Sequence, residues 1–228
     1  MSILEAKEVS KTYIIDGREA TVLDRASLSA GRGEFVVVKG ESGSGKTTLL
    51  SILSGLDKPT SGRVILDGED ITDLGEDRMA PIRNASIGFV FQSFHLAPAL
   101  TAMENVMFPA ELRRDPDARA KAESLLERVG LKSRSGSFPH QLSGGEKQRV
   151  AICRALVNAP KIVFADEPTG NLDSTNGAAV LDLLLDLRKE HGATLILVTH
   201  NDEIARMGDR IVHIRDGRIV SDEAGGAR

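Results

Sequence analysis

A glycine-rich segment from Gly40 to Thr47 has the residue types and the spacing that hold phosphate groups. It reads GESGSGKT and fits the pattern G-x-x-x-x-G-K-[ST]. Glycines let backbone N–H groups approach phosphate oxygens without an intervening Cβ, and a helix beginning near Lys46 adds its positive dipole end. Lys46 can then place a charge on the β- and γ-phosphates, while the Thr47 hydroxyl ligates Mg²⁺. The residues expected to contact a nucleoside triphosphate are Gly40, Glu41, Ser42, Gly43, Ser44, Gly45, Lys46, Thr47 and Thr48.

This segment lies where its chemistry requires, between a buried strand and an amphipathic helix. The short apolar run Glu34–Lys39 predicts the strand, and apolar residues at helical spacing predict a helix over Lys46–Leu56. The structural alternative is a glycine-rich connection that carries an exposed lysine. The motif by itself indicates triphosphate binding and leaves the purpose of that binding open.

Two carboxylates end a second predicted strand, Lys161–Ala165. At the carboxyl end of a parallel strand, Asp166 can face the same crevice as the phosphate loop and hold the hydration shell of Mg²⁺. Glu167 points elsewhere and can act as the general base for an attacking water. The alternative is an acidic turn that only ends the strand.

Strand and helix patterns alternate along the chain, which predicts a mostly parallel sheet covered on both faces. The remaining predicted strands are Ile3–Val9, Ala20–Leu28, Arg63–Asp67, Ile87–Phe91 and Thr194–Thr199, followed by a hairpin over Arg210–Val220 that turns at Asp216-Gly217. The remaining predicted helices are Ala118–Val129, Gly144–Val157 and Gly177–Glu190. Residues Glu223–Arg228 are expected to be disordered.

These elements predict an α/β fold with a mixed, mostly parallel sheet, an antiparallel β region and an inserted α-helical subdomain. We expect a single domain over residues 1–228, in which 1–92 and 160–222 form the nucleotide-binding core and 93–159 form the helical insertion.

Composition narrows the class of protein. The net charge of -4 argues against nucleic acid as the main partner. One cysteine, Cys153, cannot form an internal disulfide, and we expect it to be a buried, inert thiol. The chain shows neither a signal-peptide core nor an apolar run of about 18 residues, so we expect a cytosolic protein whose membrane role comes through a partner.

The segment Leu142-Ser143-Gly144-Gly145-Glu146 is a helix capping box, because Ser143 precedes Glu146 by three residues. Two glycines after a capping serine also leave an open helix N-terminus, which is a ready anion site. The segment resembles the signature LSGGQ of the ATP-binding cassette family, with Glu146 in place of Gln. The resemblance covers about Ile3 to Val220 and implies a P-loop NTPase core.

In proteins of that family two cassettes pair head to tail. Each ATP lies between the phosphate loop of one chain and the signature of the other, so the resemblance implies that Ser143, Gly144 and Gly145 contact the γ-phosphate bound to the opposite chain. The physical logic agrees, since a second helix dipole stabilises charge on that group.

Further family motifs occur in the expected order. Tyr13 resembles the aromatic residue that stacks on adenine, although it could equally be a surface aromatic. Gln92 matches the Q-loop glutamine that senses Mg²⁺ and water, and Asp173 matches the D-loop aspartate that communicates across the dimer. His200 matches the switch histidine that orients the γ-phosphate. The implied catalytic set is Lys46, Gln92, Glu167 and His200, and the implied Mg²⁺ set is Thr47, Gln92 and Asp166.

The stretches FVFQSFHLAPALTAMENV and FADEPTGNLDS resemble the lipoprotein-release and macrolide-export (LolD/MacB) branch. That branch implies an ATPase whose dimer closure powers export or lipoprotein extraction through permease subunits at the cytoplasmic face of the membrane. Residues 93–106 would hold the docking groove for the permease. Four apolar residues could line that groove or could equally pack in the helical insertion: Phe94, Leu96, Leu100 and Met103.

Other functions of the family are weighed against this one. An FtsE-like signalling ATPase, which controls a cell-envelope partner without transport, stays open. Chromosome-type members need coiled-coil arms, DNA-damage sensors need zinc cysteines and translation factors need two cassettes, and none of these features occurs here. Nor do we expect the regulatory domain that sugar importers of this family append.

Overall fold

The strands and helices alternate as the sequence predicts, in a computed structural model that describes residues 2–226. Its strands are β1 (Ser2–Ile15), β2 (Arg18–Gly31), β3 (Phe35–Lys39), β4 (Ser61–Leu66), β5 (Glu69–Asp70), β6 (Ile87–Val90), β7 (Ile162–Asp166), β8 (Thr194–Thr199), β9 (Arg210–Arg215) and β10 (Arg218–Ala224). Its α-helices are α1 (Lys46–Leu53), α2 (Glu76–Ser86), α3 (Ala102–Leu112), α4 (Ala118–Arg128), α5 (Gly144–Leu156), α6 (Ser174–Glu190) and α7 (Asp202–Ala205). Single 3₁₀ turns occupy Lys132–Arg134 and Pro139–Gln141.

The chain divides into two compact units. The first unit contains the residues up to Arg83 together with those from Thr194 onward, and the second contains Asn84–Ala193. The predicted fold class is confirmed, since a mixed sheet with parallel strands, an antiparallel sheet and a run of helices between β6 and β7 are all present. The domain boundaries that we drew from the sequence stay a prediction.

The first unit holds an antiparallel sheet with the order β2-β1-β4-β5. It also holds a layer in which β3 pairs in parallel with both β8 and β9, while β10 pairs antiparallel with β9. The strands β3 and β8 are almost wholly buried, which explains their continuous runs of Val, Leu and Ile. The hairpin predicted at Asp216-Gly217 is confirmed, and both residues adopt the positive φ that a tight hairpin turn requires.

The phosphate-loop segment leaves β3 at Lys39 and enters α1 at Lys46. This helix buries Leu49, Leu50, Ile52 and Leu53, so its apolar spacing is confirmed. It ends at Leu53, three residues before the predicted end. Gly55 follows in the left-handed region at φ 67°, a conformation that stops a helix and leaves Leu56 48% exposed.

The second unit pairs β6 with β7 in parallel and packs α5 against both β6 and α6. Close approach of α5 to β6 depends on Gly88, because a Cβ there would lie 2.4 Å from the carbonyl oxygen of Ala155. The helix predicted from Gly177 begins earlier, at Ser174, because the Asp173 side chain accepts the backbone N–H of Asn176 and caps the helix.

Other differences from the sequence predictions have local causes. β1 and β2 are longer than predicted, because a turn at Asp16-Gly17 extends their antiparallel pairing. Helix α2 was not predicted, since it contains Pro81 and buries only Met79. The prediction of disorder is wrong for Glu223 and Ala224, which pair with β9. Ala227 and Arg228 lie outside the described residues.

Candidate functional site

The Lys46 side chain is held beneath the phosphate loop. Its ammonium group donates to the carbonyl oxygens of Gly40 and Glu41 at 2.9 and 2.7 Å, and the residue is only 8% exposed. Helix α1 begins after Gly45 without a side-chain cap. The N–H groups in the first turn of a helix have no acceptor within the helix, which makes such a terminus a common anion site.

The loop is shaped so that glycine is required where the backbone is crowded. A Cβ at Gly40 would lie 2.4 Å from the carbonyl oxygen of Ile214 and 2.6 Å from Ser44 Oγ. Gly45 has a φ of 98°, which glycine adopts without strain. Ser44 is 6% exposed, and its hydroxyl has no hydrogen-bond partner among residues 2–226. This hydroxyl is buried against Gly40, inside the loop.

His200 leaves the same sheet edge as the phosphate loop. β3 and β8 are parallel neighbours, with Lys39 opposite Thr199, so Gly40 and His200 follow from adjacent strand ends. The imidazole is exposed. In the first unit, therefore, the predicted switch histidine and the start of the phosphate loop are brought side by side.

Tyr13 lies at the far end of β1, opposite Ala20 of β2. Its hydroxyl donates to Asp57 Oδ2 at 2.8 Å, and the Lys11 ammonium lies 4.8 Å from the centre of its ring. The residue is half-buried rather than a freely exposed aromatic. Its contact with adenine stays a prediction.

The acidic pair lies in the second unit at the end of β7. Four buried residues precede Asp166, and both Asp166 and Glu167 are half-buried. Glu167 adopts a φ of 43°, which is unusual for a residue with a Cβ and is found where a side chain has to be aimed. The crevice that the pair was expected to share with the phosphate loop stays a prediction.

Gln92 lies against the turn that follows Glu167. Asn171 donates its side-chain amide to the Gln92 carbonyl at 2.9 Å, and the Gly170 N–H donates to the Glu167 carbonyl at 3.0 Å. A Cβ at Gly170 would lie 2.8 Å from Gln92 Nε2, so glycine leaves room for this amide. The predicted Q-loop and D-loop residues are thus brought together with the predicted base, and Asp173 caps the helix just beyond them.

The signature segment forms the capped N-terminus of α5. Ser143 Oγ accepts the Glu146 N–H, and the Glu146 carboxylate accepts the Ser143 N–H, so the predicted capping box is confirmed. The hydrogen bond from the Ser143 backbone is the main reason why the pKa of Glu146 is lowered, and Arg134 adds to it. Ser143 is exposed at the tip.

Two side chains of α5 that the sequence motifs do not include hold the surrounding loops. Gln148 is fully buried and donates to the carbonyl of Pro168 at 2.7 Å, just after Glu167. Arg154 donates to the carbonyls of Phe94 and His95, which follow Gln92. A signal for Gln148 existed, because it is a polar residue within the buried stripe of α5.

The four residues proposed to line a docking groove are all half-buried, neither in the core nor fully exposed: Phe94, Leu96, Leu100 and Met103. Phe94 has a φ of 61°, and its ring tip lies 4.0 Å from where a Cβ of Gly144 would be. The loop after Gln92 therefore touches the tip of the signature helix, and its role in docking stays a prediction.

Within residues 2–226 no group of three or more His, Cys, Asp and Glu side chains could hold a metal ion. In the same range no helix is both long enough and apolar enough to cross a bilayer.

Comparison with known proteins shows the family of the chain. A family model described as ABC transporter matches residues 23–170. The chain is 48% identical over 229 residues to macrolide export ATP-binding/permease protein MacB of Syntrophobacter fumaroxidans, covering 99% of this chain and 32% of that protein. It is 46% identical over 223 residues to lipoprotein-releasing system ATP-binding protein LolD of Shewanella denitrificans, covering 97% of this chain and 96% of that protein. The chain thus spans about a third of MacB and nearly all of LolD.

A solved structure shares the fold. It is the dimeric structure of a post-hydrolysis state of the ATP-binding cassette MJ0796 bound to ADP and Pi, with a TM-score of 0.90 and 42% identity over 97% of this chain and 98% of that chain. The branch expected from the sequence agrees with the names of these relatives. The chain belongs to the ABC transporter family and carries its ATP-binding cassette.

Proposed function

We propose that the chain binds ATP with Mg²⁺ and hydrolyses it between two copies of itself. Closure of this dimer around ATP would drive a membrane-embedded partner. The observation that carries the proposal is the phosphate loop, in which the buried Lys46 ammonium is bound by two loop carbonyls beside the N-terminus of helix α1, which has no side-chain cap. The post-hydrolysis dimer of the related cassette MJ0796 supports the same reaction and assembly.

Each side chain would act on the reacting groups as follows. Lys46 binds the β- and γ-phosphates, and the first turn of α1 holds the phosphate oxygens through its N–H groups. Glu167 accepts the proton of the attacking water, while His200 and Gln92 orient that water and the γ-phosphate. Thr47, Gln92 and Asp166 would hold Mg²⁺, which supplies charge neutralisation on the phosphates.

The other half of the site would come from the partner copy. Ser143 is exposed at the N-terminal tip of α5, while Gly144 is half-buried and Gly145 is buried. A second helix dipole at the γ-phosphate would stabilise the charge that develops during transfer. Because the tip belongs to one chain and the phosphate loop to the other, neither copy would be complete alone.

The partner would be a permease at the cytoplasmic face of a membrane, docked near residues 93–106. Relatives named for macrolide export and for lipoprotein release support export or extraction as the work done. Half-buried apolar side chains in this segment, such as Phe94 and Leu96, suit an apolar helix of the permease.

The variant Ser143→Arg tests the shared site. A bulky cation at the tip should block closure, so ATP turnover should be lost while ATP binding to the single chain, measured by calorimetry, is kept. Lys147→Arg on the same helix is the control and should turn over normally. Turnover at the wild-type rate in Ser143→Arg would contradict the proposal.

A further inference from the structure

The carboxylate of Asp57, just beyond the end of α1, accepts three hydrogen bonds. Its Oδ2 accepts the Tyr13 hydroxyl at 2.8 Å, and its Oδ1 accepts both the Lys11 ammonium and the Lys58 N–H at 2.7 Å. The carboxylate therefore fixes the outer edge of the only tyrosine in the chain.

Lys11 fixes the same ring from its face. Its ammonium lies 4.8 Å from the ring centre, donates to the Lys58 carbonyl at 2.6 Å and pairs with Asp57. The Lys11 side chain is only 13% exposed, so this is a shielded pair rather than a loose surface contact. Because the ammonium covers one face of the phenol, the opposite face is the one left for a planar ligand.

Hydrogen bonds also fix the backbone around the trio formed by Lys11, Tyr13 and Asp57. Thr12 donates its N–H to Thr60 Oγ1 at 3.0 Å, and Thr60 donates its N–H to the Ser10 carbonyl at 2.8 Å. Asp57 donates its own N–H to the Ser51 carbonyl near the end of α1. Helix α1 carries Lys46 at its first turn, and the Tyr13 hydroxyl interacts both with Thr48 in that turn and with Asp57 just past the last turn, so the ring is held next to the helix that bears the phosphate loop.

The charges of the trio favour this arrangement at neutral pH. Burial raises the pKa of Tyr13, and its hydrogen bond to Asp57 raises it further, so the hydroxyl remains a donor. Burial acts to raise the pKa of Asp57, but hydrogen bonds from Lys11, Tyr13 and Lys58 outweigh it and lower the pKa overall. The carboxylate therefore stays ionised as an acceptor.

We propose that Asp57 is a positioning residue for the nucleobase, which together with Lys11 presets the Tyr13 ring as a stacking face. The inference rests on the proposed function, since it requires Tyr13 to contact the base of the bound nucleotide. An aromatic ring that is already ordered loses less conformational freedom on binding. The affinity for the nucleobase therefore rises without any new contact to the base.

The variant Asp57→Ala is the main test, with MgATP and inorganic tripolyphosphate as probes. We expect the Kd and KM for MgATP to rise roughly 3- to 10-fold, the equivalent of ordering one side chain. Tripolyphosphate has no base, so its Kd should stay unchanged, and kcat should change less than KM. Tyr13→Phe keeps the ring and loses the anchor, so it should weaken MgATP to a similar extent. The double variant should then be no worse than either single one.

Absorbance adds a readout that general destabilisation would not reproduce. The chain has one Tyr and no Trp, so an alkaline titration of phenolate absorbance reports Tyr13 alone. In Asp57→Ala the pKa of Tyr13 should fall towards its ordinary value of 10.0, since the acceptor that raises it is gone. Asp57→Asn keeps an acceptor oxygen without the charge and should restore most of the MgATP affinity. Asp73→Asn, in an exposed turn of the same unit, is the control and should leave all readouts unchanged.

The possible outcomes distinguish failure of the proposed base contact from failure of the positioning role of Asp57. If Tyr13→Ala binds MgATP like the wild type, the base contact in the proposed function is wrong. If Tyr13→Ala weakens binding but Asp57→Ala and Tyr13→Phe do not, the positioning role of Asp57 is overturned. Equal loss of MgATP and tripolyphosphate affinity in Asp57→Ala would also overturn it, because Asp57 would then support the phosphate loop as a whole.

Discussion

The ammonium group of Lys46 is bound by two carbonyl oxygens of its own loop, which keeps it in place under the phosphate site. A cation buried to this degree needs such partners. The site is therefore organised for an anion at the level of single side chains.

Replacing Lys46 by alanine should abolish measurable ATP binding. At least two charge-assisted bonds would be lost, each worth about 1.5–3 kcal/mol, which together weaken affinity by roughly 100-fold or more. Isothermal titration calorimetry with MgATP measures this directly. Lys189→Ala, in the exposed last turn of α6, is the matched control and should bind normally. Unchanged affinity in Lys46→Ala would refute the role of the phosphate loop.

Cys153 is a buried free thiol inside α5, which confirms the expectation that this cysteine is buried. Burial raises its pKa from an ordinary value of 9.0 to about 12, with only a small opposing effect of Arg149. The folded chain therefore keeps this proton where an unfolded chain would lose it. Folding stability must then fall as the pH rises above about 9, because the unfolded state binds fewer protons there.

The variant Cys153→Ala should remove that alkaline loss. Wild-type stability should drop relative to the variant by up to about 1.4 kcal/mol for each pH unit above the pKa of the unfolded thiol. Urea denaturation at about pH 8 and about pH 10.5 compares the two proteins. The gap between them should narrow at the higher pH, and a constant gap would contradict the prediction.

At the level of secondary structure, helix α5 supports the site through its body as well as through its signature tip. The tip is a capped N-terminus, while its body holds the loops that carry Gln92 and Glu167 through Arg154 and Gln148. Two consecutive residues with side chains, Phe94 and His95, adopt left-handed backbone conformations. Such conformations cost free energy and persist only where neighbours hold them. Arg154 is the neighbour, because its guanidinium binds both carbonyls.

Replacing Arg154 by methionine should release this turn while keeping most of the packing volume. Hydrogen bonds to a charged group typically contribute about 1.5–3 kcal/mol, so stability should fall by a similar amount. Hydrogen exchange should become faster in a peptide that spans residues 92–98. Arg128→Met removes an exposed ion pair to Glu190 and should change little. Unaltered exchange in Arg154→Met would show that the turn does not depend on the arginine.

For the whole molecule, the predicted site residues are divided between the two units. The phosphate loop, Tyr13 and His200 lie in the first, while Gln92, Ser143, Glu167 and Asp173 lie in the second. In the proposed dimer, ATP hydrolysis would use residues from both units of one chain together with the α5 tip of another. We therefore expect ATP binding and ATP turnover to be separable, and a variant of the proposed base Glu167 tests this.

Glu167→Gln should trap a dimer with ATP bound. The amide keeps the size of the side chain but cannot accept the proton of the attacking water, so ATP is held without being consumed. Size-exclusion chromatography with MgATP should show a dimer for this variant and a return to monomer after ATP is removed. Glu123→Gln, an exposed residue of α4, is the control and should not accumulate a dimer. A purely monomeric Glu167→Gln in MgATP would count against the assembly.

Features that are formed by a few consecutive residues could be predicted from the amino-acid sequence. The phosphate loop, the capping box at Ser143 and the hairpin at Asp216-Gly217 all depend on local backbone geometry. Glycine conformations, caps and turns are selected by the residues that make them, so their spacing is readable in the chain. Buried strands such as β3 and β8 are readable because their residues form continuous apolar runs.

The distant residues that support those features are visible only in the folded chain. Asp57 holds Tyr13 across 44 positions, and Arg154 holds Phe94 across 60. Nothing local marks such partners, because a hydrogen bond between separate elements depends on how the strands and helices pack. The same holds for Gly88, whose missing side chain matters only because Ala155 lies against it. Close packing joins residues that the chain keeps far apart, and that is why sequence patterns alone do not reveal them.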